Sequence, residues 1–311
     1  MLDISGLKLP MIGDRLVGGN VYFVDSGSAL ASDGNDGLHP VNSPMATLAG
    51  ALDRCVASNG DFIIMLPGHA ESLSATVAID VIGVTIMGIG NGQLRPTFTF
   101  TATAADNMFE VSVADVKIDN IIMTGTAAIG DGETFIDVQA GADRFELCNC
   151  YIIQTGGDSD AITMTGGAND VHIHDCEFYS TSAGPDTGIN VETSCDRPTF
   201  ENLIFRYEDS EGIDDACIKF ESEISEQILV RNIVGMGLRD AEELIYCTAG
   251  TSAGPTGLIM NCYAETTDNT QLWLNSATTG PGFIECYGAE PGTHAGAFML
   301  GNVHPSVTPA A

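Results

Sequence analysis

The sequence predicts an all-β chain wound as a right-handed parallel β-helix, with three short strands per rung and a short capping helix at its amino-terminal end. Three observations predict it: strands that recur at a fixed spacing, an Asn or Asp at one constant place between two strands, and a composition of turns and short apolar segments. Among 311 residues there are 36 Gly and 44% hydrophobic residues but only 17% charged ones. Such a chain suits tight turns between apolar strands better than amphipathic helices.

The repeat is read from apolar pairs that enclose one outward residue. They begin at Phe109, Ile136, Ile162, Ile189, Ile218, Ile245, Leu272 and Phe298, in steps of 27, 26, 27, 29, 27, 27 and 26 residues. The inward partners two positions later are Val111, Val138, Met164, Val191, Phe220, Cys247, Leu274 and Leu300, the parity of a strand. Eight such rungs at roughly 4.8 Å each make a rod core about 40 Å long.

A second signature fills each interval. Alternating apolar residues lead to Asn120, Asn149, Asp175, Asn202, Asn232 and Asn261, and an apolar pair follows. Asn tolerates the left-handed backbone of a sharp corner, and its amide can bond the Asn one rung away. Cys150, Cys176, Cys262 and Cys286 stand directly after or near the corner residue, at an inward place where a small apolar thiol packs.

The ends require covers. Ser43 and Pro44 offer an N-cap and a first-turn proline, and Leu48, Ala51, Leu52 and Cys55 recur at helical spacing, so a capping helix is expected over 44–57. Phe62 to Leu66 and Val84 to Ile89 fit the first rungs. The β-helix domain is expected over 20–300, an arm over 1–19 and a loose tail over 301–311. In the arm Leu2, Ile4, Leu7, Leu9, Met11 and Ile12 alternate with polar residues, a pattern able to add to a partner's sheet or to cover the helix end.

Charge excludes several functions. Eleven Lys plus Arg against 42 Asp plus Glu give a formal net charge of −31, a field that repels nucleic acids and anionic membranes. No apolar run approaches the roughly 18–20 residues of a spanning helix, and the start has neither basic nor continuous apolar character of a secretory signal. Nine cysteines without paired spacing argue against a disulfide framework or a zinc ribbon.

The segments Asn20-Val-Tyr-Phe-Val-Asp-Ser-Gly, Ser32-Asp-Gly-Asn-Asp-Gly-Leu-His-Pro and Pro44-Met-Ala-Thr-Leu-Ala-Gly-Ala-Leu, with Gly60-Asp-Phe-Ile-Ile-Met-Leu-Pro-Gly-His-Ala-Glu, resemble the strand, loop, capping helix and first rung of the pectin-lyase-like β-helix superfamily. The wording is similar to that of β-helix proteins of tailed bacteriophages. The resemblance implies the fold over nearly the whole chain. It also implies two enzyme chemistries: calcium-dependent lysis of acidic polysaccharides, or hydrolysis by paired aspartates.

Both chemistries would use the outward stripe of the first strand of each rung, Glu110, Asp137, Thr163, Asn190, Lys219, Tyr246, Trp273 and Met299, with Asp160, Asp186, Asp214 and Asp215 in the turns that lead into it. Gly212-Ile-Asp-Asp-Ala-Cys-Ile resembles the double-aspartate segment of polygalacturonase-type hydrolases. Paired carboxylates are what glycoside hydrolysis needs. The rest of that pattern is missing, however, since no His-Gly follows one rung later and few basic residues could hold an anionic sugar. Acids also recur near the strand starts at Asp106, Glu133, Asp186, Asp215 and Glu242. They form a solvated turn edge, with a place for calcium the alternative, and no cofactor is expected. His172 and His174 stand beside Glu146 of the neighbouring rung; outward histidines usually just face water, so no metal is expected there.

Tyr246, Trp273 and Met299 make one end of the stripe apolar, and Tyr151, Ile204, Val234, Tyr263 and Tyr287 do the same outside the strand after the corner. Such an outer face marks a partner surface, expected to be a homotrimer contact, with sugar stacking on Trp273 and Tyr246 the alternative. The expectation is a non-catalytic structural or adhesive protein of a bacteriophage virion surface, such as a capsid decoration, head fibre or spike. Residues 1–19 would anchor it to a capsid or other virion protein, and a host surface glycan is a further partner. The alternative is a polysaccharide lyase or glycoside hydrolase working through Asp137, Asp160, Asp186, Asp214, Asp215 and Lys219.

Overall fold

A computed structural model describes residues 2–4, 7–9, 11–12, 15–16, 18–101, 107–125, 134–154, 160–180, 186–207, 213, 215–221, 225–238, 243–247, 255–266, 273–275, 280–289 and 298–300. The strands stack into three long sheets of 8, 10 and 10 strands, each built from every third strand of the repeat. The first sheet runs from Val77–Ile79 through Phe109–Val111, Thr134–Val138, Asp160–Met164, Thr187–Val191, Ala216–Phe220 and Glu243–Cys247 to Trp273–Asn275. The second contains Lys117–Asp119, Glu146–Cys148, His172–His174 and Thr199–Glu201, and the third contains Ile122–Gly125, Tyr151–Gln154, Glu177–Ser180 and Ile204–Tyr207. Pairing along these stacks is parallel except for the last strand of the third sheet, so the chain is a parallel β-helix.

The expected register holds through most of the rod. Phe109 pairs with Ile136, Ile136 with Ile162, Ile162 with Ile189, Ile189 with Ile218 and Ile218 with Ile245. All six are buried in one continuous core. Inward files from the other sheets meet them, among them Leu147, Ile173 and Phe200 of the second and Ile152, Phe178 and Phe205 of the third. The rings of Phe178 and Phe205 stack at 4.5 Å between centroids. Gly188 is required by this packing, because a Cβ there would lie 2.4 Å from a ring carbon of Phe205 and 2.5 Å from the Cys217 carbonyl oxygen.

Two corners turn the chain through left-handed backbone. Between the second and third sheets Asn120, Asn149, Asp175, Asn202, Asn232 and Asn261 all have positive φ, from 53° to 60°. Asn232 Nδ2 donates to Asn202 Oδ1 at 2.9 Å and Asn202 Nδ2 to Asp175 Oδ1 at 3.1 Å. Asn149 donates instead to Asp119, and Asn120 to the carbonyls of Gly88 and Gly90. The four cysteines placed beside this corner are buried thiols. A second corner, before the second sheet, has no single residue type. Asp115, Arg144, Asp170, Arg197 and Gln227 occupy it at φ from 57° to 62°. Its side chains alternate in sign, and Arg144 grips Asp115, as Arg197 grips Asp170, through two hydrogen bonds each.

Three features depart from the sequence expectation. The helix spans only Leu48–Leu52, and its N-cap is Thr47, whose hydroxyl accepts from Gly50 N, rather than Ser43. Met45 is extended and bridges to Val24, and Asp33 Oδ1 accepts the amides of Ala46 and Thr47. A distant carboxylate thus delays the helix, and the Asp33 loop is a turn. At the other end, Trp273 pairs with Ile245, and Leu274 with Tyr246, so Trp273 holds the register of the inward file and not of the outward stripe. Phe298–Leu300 folds back antiparallel on Cys286–Ala289 in the third sheet, placing Met299 opposite Tyr287 and outside the first sheet. In the arm, Leu2–Ile4 pairs with Leu7–Leu9 and Met11–Ile12 with Arg15–Leu16, two small antiparallel hairpins. The tail over 301–311 lies outside the described residues.

The opening segments are structural. Asp61, 1% exposed, accepts from the backbone amides of Asn20 and Val56 and from Asn59 Nδ2. His69 Nδ1 accepts from Ser26 N at 3.0 Å, so its Nε2–H donates to Glu71 at 2.7 Å. Glu71 in turn accepts Leu48 N. These buried polar groups tie the strand, helix and first rung together.

Candidate functional site

The outward side of the first sheet carries a cleft of about 500 Å³, lined almost wholly by polar groups. Register builds it. Glu110, Asp137, Thr163, Asn190, Lys219 and Tyr246 follow one another along a single file. Thr165, Glu192 and Glu221 form a parallel file two residues on, just past the strand ends, while Asp160 and Thr187 start their strands and Asp186 and Asp215 stand immediately before theirs. Of the six candidate catalytic residues, Asp137, Asp160, Asp186, Asp215 and Lys219 line this one cleft; Asp214 lies outside the described residues, as do Asp106, Glu133 and Glu242.

Each carboxylate has a different setting. Buried Asp137 accepts from Thr165 Oγ1 at 2.6 Å, Gln139 Nε2 at 2.9 Å and Asn107 Nδ2 at 3.3 Å. Asp160 accepts from Asn190 Nδ2 at 2.9 Å and Thr163 Oγ1 at 3.2 Å. Burial nevertheless raises its carboxyl above the ordinary value, with those hydrogen bonds and the Lys219 charge opposing the rise. Glu192 is raised as well, first by burial and then by the neighbouring Glu221, Asp160 and Asp137 charges. Lys219, the one basic lining residue among the described residues, is held between Asp215 at 2.5 Å and Glu221 at 2.6 Å. Burial works against its charge, but these two partners outweigh it and raise its pKa.

Asn190, which lines the cleft, carries an unpartnered polar atom. Its side chain is 5% exposed, its amide nitrogen is committed to Asp160, and its Oδ1 is buried with no hydrogen-bond partner among the described residues. An orphaned buried acceptor is costly. Sequence reasoning missed Asn107, Gln139, Glu192 and Glu221. The last three were within reach, because the outward parity of Asp137, Asn190 and Lys219 simply continues two residues further.

The aromatic residues separate into two places. Tyr246 closes the cleft's file, half-buried, its phenol raised by burial and by Asp215 and Glu243. Tyr263 and Tyr287 pair across neighbouring rungs of the third sheet, in one file with Tyr151, Glu177, Ile204 and Val234, and Glu177 pairs with Arg206. Trp273 keeps the register of Ile245 and Met299 that of Tyr287, so neither belongs to the cleft's file.

No protein-family model matches the chain, and no curated protein does. Among solved structures it is similar to one described as rhamnogalacturonan lyase, at 14% identity and a TM-score of 0.42, over 80% of this chain and 69% of that one. It is also similar to ORF18 of Geobacillus virus E2, at 12% identity and a TM-score of 0.39, over 78% of this chain and 57% of that one. Identity this low speaks only of fold, and the β-helix itself rests on the strand registers.

Proposed function

We propose that this chain is an adhesive β-helical rod of a virion surface whose first-sheet cleft binds an oligosaccharide that is uncharged or cationic. The observation that carries this reading is the cleft: an open trough crossing several rungs, lined by Thr, Asn, carboxylates and a single clamped lysine. Such a wall offers many hydrogen-bond acceptors and donors to sugar hydroxyls. Its excess of acids opposes polyuronate, and Lys219 is already neutralised by Asp215 and Glu221. Calcium-dependent lysis of an acidic polymer is therefore the less supported chemistry. The rod would stand as a homotrimer on its third-sheet face, anchored through residues 1–19.

The test is a glycan array followed by calorimetry on the full chain. Neutral or amino-sugar oligosaccharides should bind, chelator should leave binding unchanged, and Asn190→Ala with Thr163→Val should weaken it at least tenfold. Binding only of polyuronates, or binding indifferent to both variants, would overturn the proposal.

A second reading has one observation in its favour. Burial raises the Asp160 carboxyl in a cleft that Asp137 and Asp215 also line, and a carboxyl with a raised pKa near a second carboxylate is what glycoside hydrolysis uses. If hydrolysis occurs, the bound oligosaccharide gains reducing ends, and Asp160→Asn abolishes their release while the sugar still binds.

A further inference from the structure

On the outward side of the second sheet, Glu146–Cys148 and His172–His174 are adjacent parallel strands with Glu146 beside His172 and Cys148 beside His174. Inward Leu147 and Ile173 force their neighbours outward, so four polar side chains share one small square. One ligand atom each of Glu146, Cys148 and His174 lies within 4.8 Å of the other two. We infer that Glu146, Cys148 and His174 form a binding site for one borderline-soft divalent cation, zinc in the first instance.

Three features of the geometry support this. His174 Nδ1 lies 2.7 Å from Asp175 Oδ2, and a carboxylate can only accept, so Nδ1 carries the proton. His174 Nε2 in turn lies 3.3 Å from Glu146 Oε1. A carboxylate orienting a metal-binding histidine is a recurrent arrangement, and Asp175 holds that place here. Next, the Lys117 ammonium already lies against both Glu146 and Cys148, so this position attracts positive charge. Last, the donor set of thiol, imidazole and carboxylate suits zinc or cobalt and does not suit calcium or magnesium. Binding forms a metal–sulfur bond as the thiol proton passes to solvent. His172 stacks on His174 at 4.2 Å between centroids and bonds Glu201, which walls one side. This site is on a different sheet from the cleft and stands independently of its function.

The experiment uses the reduced full chain, stripped with chelator and titrated with Co²⁺, then with Zn²⁺ in competition. One Co²⁺ per chain should bind, with the thiolate-to-cobalt band in the near ultraviolet and the visible bands of a tetrahedral ion, and Zn²⁺ should abolish both. Cys148→Ser should remove the thiolate band, whereas Cys55→Ser should leave it. His174→Gln should weaken binding at least tenfold, and Asp175→Asn about 10–100-fold as an orienting partner. Lys117→Met should tighten binding, because a competing cation is gone, and serves as the variant that tests the site without deleting a ligand. Absence of the band in the wild-type chain, its persistence in Cys148→Ser, or weaker binding in Lys117→Met would each overturn the inference. Far-ultraviolet circular dichroism of every variant separates loss of the site from loss of the fold.

Discussion

Along the rod the inward files hardly change. Phe109, Ile136, Ile162, Ile189, Ile218 and Ile245 repeat one requirement, apolar bulk of similar volume, on rung after rung. The outward files of the same strands do change, from Glu110 and Asp137 through Thr163 and Asn190 to Lys219 and Tyr246, and the outer side of the third sheet turns to Tyr151, Ile204, Val234 and Tyr263. An inward residue is replaceable by its neighbour one rung away, whereas an outward residue has a unique place. Chemistry in a solenoid is therefore written on alternate residues, while the intervening ones specify the coil.

The largest effect that can break this comparison is an inward truncation. Phe178 is fully buried and stacked on Phe205, so Phe178→Ala should cost about 3–5 kcal/mol. Tyr179, its outward neighbour, should cost far less when changed to Ala. Denaturant unfolding of the two variants decides it, and similar losses would mean that the two faces are not energetically distinct. Glycan binding should survive both, since neither side chain touches the cleft.

Corners test the boundary between the two kinds of file. At Asn202, φ of 55° strains any residue with a β-carbon other than Asn or Asp. Asn202→Ala should lose roughly 1–2 kcal/mol for the left-handed backbone, beyond its hydrogen bonds to Asn232 and Asp175. Asn202→Gly should recover the backbone share and keep only the hydrogen-bond loss. Equal unfolding midpoints for the Ala and Gly variants would refute the strain argument.

How much of this was legible depended on which residues repeat. The inward files and the Asn corner could be read because one physical demand recurs at one period. The second corner could not, since Asp115, Arg144, Asp170 and Arg197 meet the same backbone demand with opposite charges that satisfy one another across rungs. Helix length escaped because the Asp33 carboxylate, remote in sequence, holds Ala46 and Thr47. Alignment by apolar letter alone chose Leu272 where Trp273 keeps the register. For the cleft, Asp137, Asp160, Asp186, Asp215 and Lys219 were found by following outward parity, and Glu192 and Glu221 were missed by stopping at the strand ends.

A smaller effect sharpens the outward side through pH. Asp160 and Glu192 have folded-state carboxyls raised above 3.8 and 4.5 by burial. The native chain therefore holds these protons where the unfolded chain has released them. The stability they contribute is complete below those values and is lost as pH rises through the folded ones. Asp160→Asn should flatten the fall of the unfolding temperature above pH 3.8, leaving the Glu192 part. An unchanged profile would show that the cleft does not strain its carboxylates.

The smallest expected effect is at the exposed corner pairs, and it has the opposite sign. Arg197 holds Asp170 below its ordinary 3.8, chiefly by the bidentate hydrogen bond. That contribution is present above pH 3.8 and disappears as pH falls through the folded value. Both side chains are nearly half exposed, so water and salt screen the pair. Arg197→Ala should therefore lower the unfolding temperature only slightly at neutral pH and low salt, and not at all in acid or in high salt. A large loss that persists in high salt would instead mean that the left-handed backbone at Arg197 depends on its side chain as Asn202 does. The two corners would then be equivalent in energy and distinct only in residue type.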